Sequence, residues 1–108
     1  MADEISIDKF FETQLKVGNV LEAEEVEGSE KLIKMKVDIG EDRQIVAGIK
    51  QWYSPEDLVG KQIIVVANLK TAKLMGIESQ GMMLCADTED GPVFLTPSKE
   101  VPNGSKIK

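Results

Sequence analysis

The sequence predicts an all-β domain, a small antiparallel barrel of five strands carrying two short helices. Three observations carry that expectation. At 108 residues the chain is one domain's worth, enough to bury a core without disulfides. Hydrophobic residues at 42% and charged residues at 30% give the balance of a globular domain rather than a disordered tail. Short apolar runs, the clearest with period two, alternate with turns rich in glycine, aspartate and proline, which is the pattern of strands.

The elements follow in order. Ser6 caps a short N-terminal helix whose apolar face is Ile7, Phe10 and Phe11, at i, i+3, i+4 spacing. Leu15 to Glu25 reads as a first strand, interrupted at Gly18, where a bulge is expected. After a polar loop over 26–31, Ile33, Met35, Val37 and Ile39 alternate with Lys34, Lys36 and Asp38, a half-buried strand with a partly cationic outer face. Gly40-Glu41-Asp42 turns the chain into a third strand, Arg43 to Ala47. Ser54, Pro55 and Asp57 spell a helix start: a cap, a proline at the first position and an acid three residues after the cap. Gln62 to Ala67 is a fourth strand, and 68–81 is a long irregular connection. Met82 to Asp87 and Val93 to Thr96 flank the turn Thr88-Glu89-Asp90-Gly91-Pro92 and complete the barrel. A helix between the third and fourth strands is the mark of an oligonucleotide/oligosaccharide-binding (OB) barrel; an SH3-like barrel, the competing architecture, has no need of it.

Composition narrows the chemistry. There is no histidine, which removes imidazole bases, catalytic triads and zinc sites that need imidazole. A lone Cys85 builds neither a disulfide framework nor a thiolate metal site and reads as an inert, buried thiol. Carboxylate, lysine and metal-carboxylate chemistry stay open, but no acid, base and nucleophile are assembled in the sequence, so the chain is read as a non-enzyme with no metal site or cofactor expected. Gly76 and Gly81 have P-loop spacing, but Met82 stands where the lysine belongs. Asp87, Glu89 and Asp90 lack the ligand order of a calcium loop. The acidic start, Met1-Ala2-Asp3-Glu4, lacks a signal-peptide core, and no apolar run approaches about 18 residues, so a cytoplasmic protein without a membrane span is expected.

The net charge of −6 argues against a nucleic-acid partner only until it is divided. Residues 1–30 hold nine acids against two lysines, whereas residues 31–108 hold ten acids against eleven bases. Lys31, Lys34, Lys36, Lys70 and Lys73 cluster in the second part and suit phosphate contacts. The connection 68–81 adds Asn68, Ser79 and Gln80 as polar donors; the competing reading is a structural loop whose Leu69, Leu74, Met75 and Ile77 plug the barrel bottom, and the two readings can hold together. Only Trp52 and Tyr53 are placed as stacking platforms, so backbone shape is the expected mode of recognition rather than base stacking.

The run Val65-Val66-Ala67-Asn68-Leu69-Lys70-Thr71-Ala72-Lys73-Leu74-Met75-Gly76-Ile77-Glu78-Ser79-Gln80-Gly81-Met82 resembles the tRNA-binding domain family. That module is appended to methionyl-tRNA synthetases and also occurs as free-standing tRNA-binding proteins and in endothelial-monocyte-activating polypeptide relatives. Val17-Gly18, Gly28 to Leu32, Val46 to Ile49 and Val101 to Gly104 support the match, which spans residues 7–108. The resemblance implies an OB barrel that recognises the folded shape of tRNA, with groove residues carried over onto Asn68, Lys70, Lys73, Ser79, Gln80 and Met82. It also implies a homodimer, and a methionyl-tRNA synthetase catalytic subunit as a partner. Two departures stand out: Gln14 and Lys16 where relatives commonly have aspartate and arginine, and Thr71 where many have proline. The alternative function is a chaperone or protein-interaction module on the same dimeric barrel. Both termini lie outside the strands of the barrel, so Ile7, Phe10, Phe11, Val101 and Ile107 are the expected dimer interface.

Overall fold

The computed structural model describes residues 3–108; Met1 and Ala2 of the acidic start lie outside them. Helix α1 covers Ile7–Phe10 and α2 covers Pro55–Leu58. The strands are β1 (Leu15–Glu25), β2 (Ile33–Asp38), β3 (Asp42–Ala47), β4 (Gln62–Val66), β5 (Ala72–Leu74), β6 (Ile77–Ser79), β7 (Met82–Met83), β8 (Cys85–Thr88), β9 (Gly91–Phe94) and β10 (Lys106–Ile107). Every pairing is antiparallel, in the order β3-β2-β1-β4-β7, and the segment from β6 to β7 returns to β3 and nearly closes the barrel. With α2 between β3 and β4, the architecture is an OB barrel, as the placing of Pro55 suggested.

Period two dictates the core. On β2, Ile33, Met35 and Val37 are fully buried while Lys34, Lys36 and Asp38 face outward. They meet Val20 of β1, Ile45 of β3, Ile63 and Val65 of β4, and Leu58 of α2 in one cluster. At the start of α2 the Asp57 carboxylate accepts hydrogen bonds from the Ser54 N–H at 2.9 Å and the Ser54 hydroxyl at 3.0 Å. Those two bonds hold the Asp57 carboxyl below its ordinary value. Partial burial pushes the Cys85 thiol up, which keeps it a poor nucleophile.

Three details depart from the sequence-based expectations. Gly18 marks a close approach rather than a bulge: a Cβ there would meet Val37 Cγ1 at 2.5 Å and Ile39 Cγ2 at 2.8 Å. The register shift falls between Val20 and Glu22 instead, placing the extra residue at Leu21. The strand expected from Met82 to Asp87 breaks at Leu84, because its first part pairs with β4 and its second folds back on β9. Finally, the connection 68–81 is not irregular. It contains a hairpin, β5–β6, in the register Ala72↔Ser79, Lys73↔Glu78, Leu74↔Ile77.

Candidate nucleic-acid interface

The outer face of β1, β2 and β3 forms an open cleft of mixed charge, lined by Glu22, Glu24 and Asp42, by Lys34, Lys36 and Arg43, and by Gln44 and Gln80. Lys34 and Lys36 project here because the apolar residues of β2 claim the other face. They do not stand free. Lys34 Nζ lies 2.7 Å from Glu24, its cross-strand partner on β1, and Lys36 Nζ lies 3.5 Å from Asp42. Such exposed pairs are worth about 0–1 kcal/mol each, so they hold the lysines only weakly.

The cleft continues onto the β5–β6 hairpin through Gln80. The free edge of β3 presents the N–H groups of Gln44 and Val46, and side chains from the hairpin's end satisfy both. Gln80 Oε1 accepts from the Gln44 N–H at 2.9 Å, and Ser79 Oγ accepts from the Val46 N–H at 3.0 Å. Gln44 Nε2 reaches the Glu78 carbonyl at 2.7 Å. Arg43, the only arginine of the chain, donates Nη1 to the carbonyls of Ala67 at 2.9 Å and Gln80 at 3.0 Å while its Nε binds Glu41. Gly81 completes the closure at φ +142°, where a Cβ would sit 2.8 Å from the Val66 carbonyl. This stitched seam fixes the hairpin against the barrel.

These bonds correct the role of two residues expected to be ligand donors. Ser79 is 4% exposed, and its hydroxyl both accepts from Val46 and donates to the Gly81 carbonyl at 2.9 Å. It is a pin of the seam, inaccessible to a ligand. Asn68 is exposed, but its amide also serves the fold: Oδ1 accepts from the Gln14 N–H at 2.8 Å and Nδ2 donates to the Glu12 carbonyl at 2.7 Å. It ties the segment after α1 to the end of β4. Gln80 differs, because the bond to Gln44 fixes its Oε1 and leaves Nε2 without a partner among the described residues, on the wall of the cleft.

Of the other candidates, Lys70 and Lys73 stand exposed on the hairpin limb, with no carboxylate within ion-pair distance among the described residues. Lys31 is exposed just before β2, and Met82 is exposed beside Gln80 at the start of β7. Trp52 packs on Gly91 of β9, and Tyr53 packs on Phe94 with ring centroids 5.4 Å apart. Neither aromatic lines the cleft. Leu69, Leu74 and Met75 do not plug the barrel; all three are exposed. Sequence reasoning missed Arg43 and Gln44, although a sole arginine opening an edge strand is a usable sign of a backbone clasp.

The terminal residues separate into two places. Helix α1 buries nothing: Ile7, Phe10 and Phe11 are exposed, and the two phenylalanine rings meet edge-on at 5.4 Å. Phe11 and Ile107 line one cleft with Leu15, Lys16 and Lys106. Val101 is elsewhere, beside Gln62 at the opposite end of β4, where its N–H and carbonyl both bind the Gln62 amide. The five apolar residues expected at a dimer interface therefore lie in two places, with Val101 apart from the rest. Among the described residues no group of three or more His, Cys, Asp or Glu is gathered for a metal, and no helix is long and apolar enough to cross a membrane.

An OB barrel with an outer cleft of mixed charge, bordered at Gln80 by a lysine-bearing hairpin, falls in the class that includes the small nucleic-acid-binding barrels. Comparison with known proteins makes it specific. The chain belongs to the family described as "Putative tRNA binding domain", which matches residues 15–106. It is 58% identical over 106 residues to the methionine–tRNA ligase of Caldanaerobacter subterraneus subsp. tengcongensis, covering 97% of this chain and 17% of that protein. The chain thus spans about a sixth of the length of the curated relatives it matches. The crystal structure of a MetRS-related protein from Pyrococcus horikoshii has a TM-score of 0.93 at 44% identity, covering 99% of this chain and 100% of that one. A CsaA chaperone from Bacillus anthracis has a TM-score of 0.88 at 32% identity, covering 98% and 100%.

Proposed function

We propose that this chain is a non-catalytic module that holds tRNA by its folded shape, through phosphates, in the cytoplasm. It acts free-standing or as the C-terminal or β part of a methionyl-tRNA synthetase, raising the local tRNA concentration at a catalytic subunit carried elsewhere. The observation that carries this reading is that Lys31, Lys34, Lys36, Lys70 and Lys73 all reach solvent on an otherwise acidic chain, with Gln80 joining the β5–β6 hairpin to the cleft that Lys34 and Lys36 line. Phosphate contacts give affinity without reading sequence, which suits a partner recognised by shape.

The domain extends from α1 to β10, residues 7–108, and pairs with a second copy through Ile7, Phe10, Phe11 and Ile107. Support for pairing comes from the unpartnered apolar face of α1 beside the cleft under Ile107. A pair of barrels offers a longer cationic surface to an L-shaped RNA than one barrel does.

A second reading is a chaperone on the same dimeric barrel. It is favoured by the likeness to the Bacillus anthracis chaperone and by the exposed Phe10, Phe11 and Trp52. Filter binding against tRNA, an RNA duplex and an unfolded peptide separates the two. About five neutralised phosphates give a log–log salt slope of roughly −4 for tRNA. A flat titration refutes the phosphate mode, and preference for the peptide over tRNA transfers the function to the chaperone reading.

A further inference from the structure

The tip of the β5–β6 hairpin breaks two rules at once. Leu74-Met75-Gly76-Ile77 turns with φ +52° at Met75 and +78° at Gly76, the signs of a type I′ turn. Such turns favour Asn-Gly, because asparagine tolerates the left-handed region and a long side chain does not. Met75 is the only non-glycine residue at positive φ among the described residues. It is also 63% exposed, with Leu74 at 38% beside it, so no packing in the fold accounts for the choice. Strained backbone that tertiary contacts do not explain is the signature of a residue kept for what it touches.

The register tells what the tip offers. Ala72, Leu74, Ile77 and Ser79 share one face of the hairpin, and Lys73 and Glu78 share the other. Ser79 anchors the apolar face to β3, and Ile77, Leu74 and Met75 carry it outward past the barrel. Lys73, opposite Glu78, is one register pair from that apolar end, and Lys70 is exposed at the hairpin's base.

We propose that Met75, with Leu74, is an apolar cap that covers an unstacked nucleobase of a folded RNA while Lys73 holds the adjacent phosphate and Lys70 a phosphate nearer the barrel. The inference rests on the tRNA reading above. Charge and chemistry select this occupant: a flat apolar surface bordered by phosphates is what an unpaired or stack-terminating base presents. A thioether and an isobutyl group carry no hydrogen-bonding code, so they cover any base, and sulfur sits well on an aromatic face. A regular duplex buries its bases within the stack and has none to cover along its length. The cap therefore separates folded tRNA from a duplex of equal charge.

The test uses the full chain and Met75→Asn, which gives the turn its preferred Asn-Gly pair. The variant melts no lower than the parent. Its affinity for tRNA falls about tenfold, its affinity for a plain RNA duplex is unchanged, and its salt slope is unchanged because every phosphate stays neutralised. If Met75→Asn fails to fold, Met75→Gly carries the same test. An unchanged ratio of tRNA to duplex affinity overturns the cap. So does a shift in sedimentation on substitution, which assigns the tip to contact with a second copy. A parent chain that binds no tRNA overturns the functional reading and the cap together, whereas a parent that binds tRNA and a variant that binds equally well sinks the cap alone.

Discussion

The wall of β1–β3 and the β5–β6 hairpin meet at Gln80 and are built on opposite rules. In the wall every apolar side chain of β2 is buried, and both outward lysines are matched by carboxylates, Glu24 and Asp42. In the hairpin Leu74 and Met75 face solvent, the turn is left-handed at a methionine, and Lys70 and Lys73 lack carboxylate partners among the described residues. The wall obeys what folding asks of it, and the hairpin keeps features that folding alone does not explain. Where local rules fail without a structural reason, a binding role is the first place to look.

The largest expected effect falls on the seam that joins the two regions. Ser79→Ala leaves the Val46 N–H and the Gly81 carbonyl without their partner in a buried place. Two such losses cost about 1–3 kcal/mol each when unrelieved, so the midpoint of denaturant unfolding drops clearly. Affinity for tRNA, measured where the variant is still folded, changes little because the hydroxyl never faces the ligand. Unaltered stability with weakened binding returns Ser79 to the surface role that its neighbours suggested.

A smaller effect sharpens the contrast in charge. Glu24→Gln removes the carboxylate held 2.7 Å from Lys34 and leaves the core untouched. Affinity for tRNA rises a few-fold, since an exposed pair of about 0–1 kcal/mol no longer competes with phosphate. Duplex RNA gains at least as much. A fall in affinity on this change places Lys34 outside the interface.

How legible each region is in the sequence follows from the same contrast. Alternation from Ile33 to Ile39 gives β2, its burial and its outward lysines without ambiguity, and Ser54-Pro55 with Asp57 gives α2 and hence the barrel type. The hairpin is hidden for three physical reasons. Its strands are three residues each, too short to establish a period. Its turn carries Met75 where Asn or Asp would have announced it. Its exposed Leu74 looks like core. The roles of Asn68 and Ser79 are hidden for a different reason: a hydroxyl or amide reads the same whether it meets a ligand or a backbone group 33 or 54 residues away. The tail's placement is illegible as well, since nothing in the sequence of Val101 to Ile107 shows that β10 pairs with β1 and that Gln62 captures Val101.

The salt dependence of tRNA binding, compared between the parent chain and Lys70→Gln/Lys73→Gln, tests the hairpin's part in the interface most directly. If the hairpin lysines meet phosphates, the log–log slope falls in magnitude by roughly 2, about 0.9 for each phosphate no longer neutralised, with unfolding unchanged. A slope that stays at the parent's value contradicts that part and removes the hairpin from the interface.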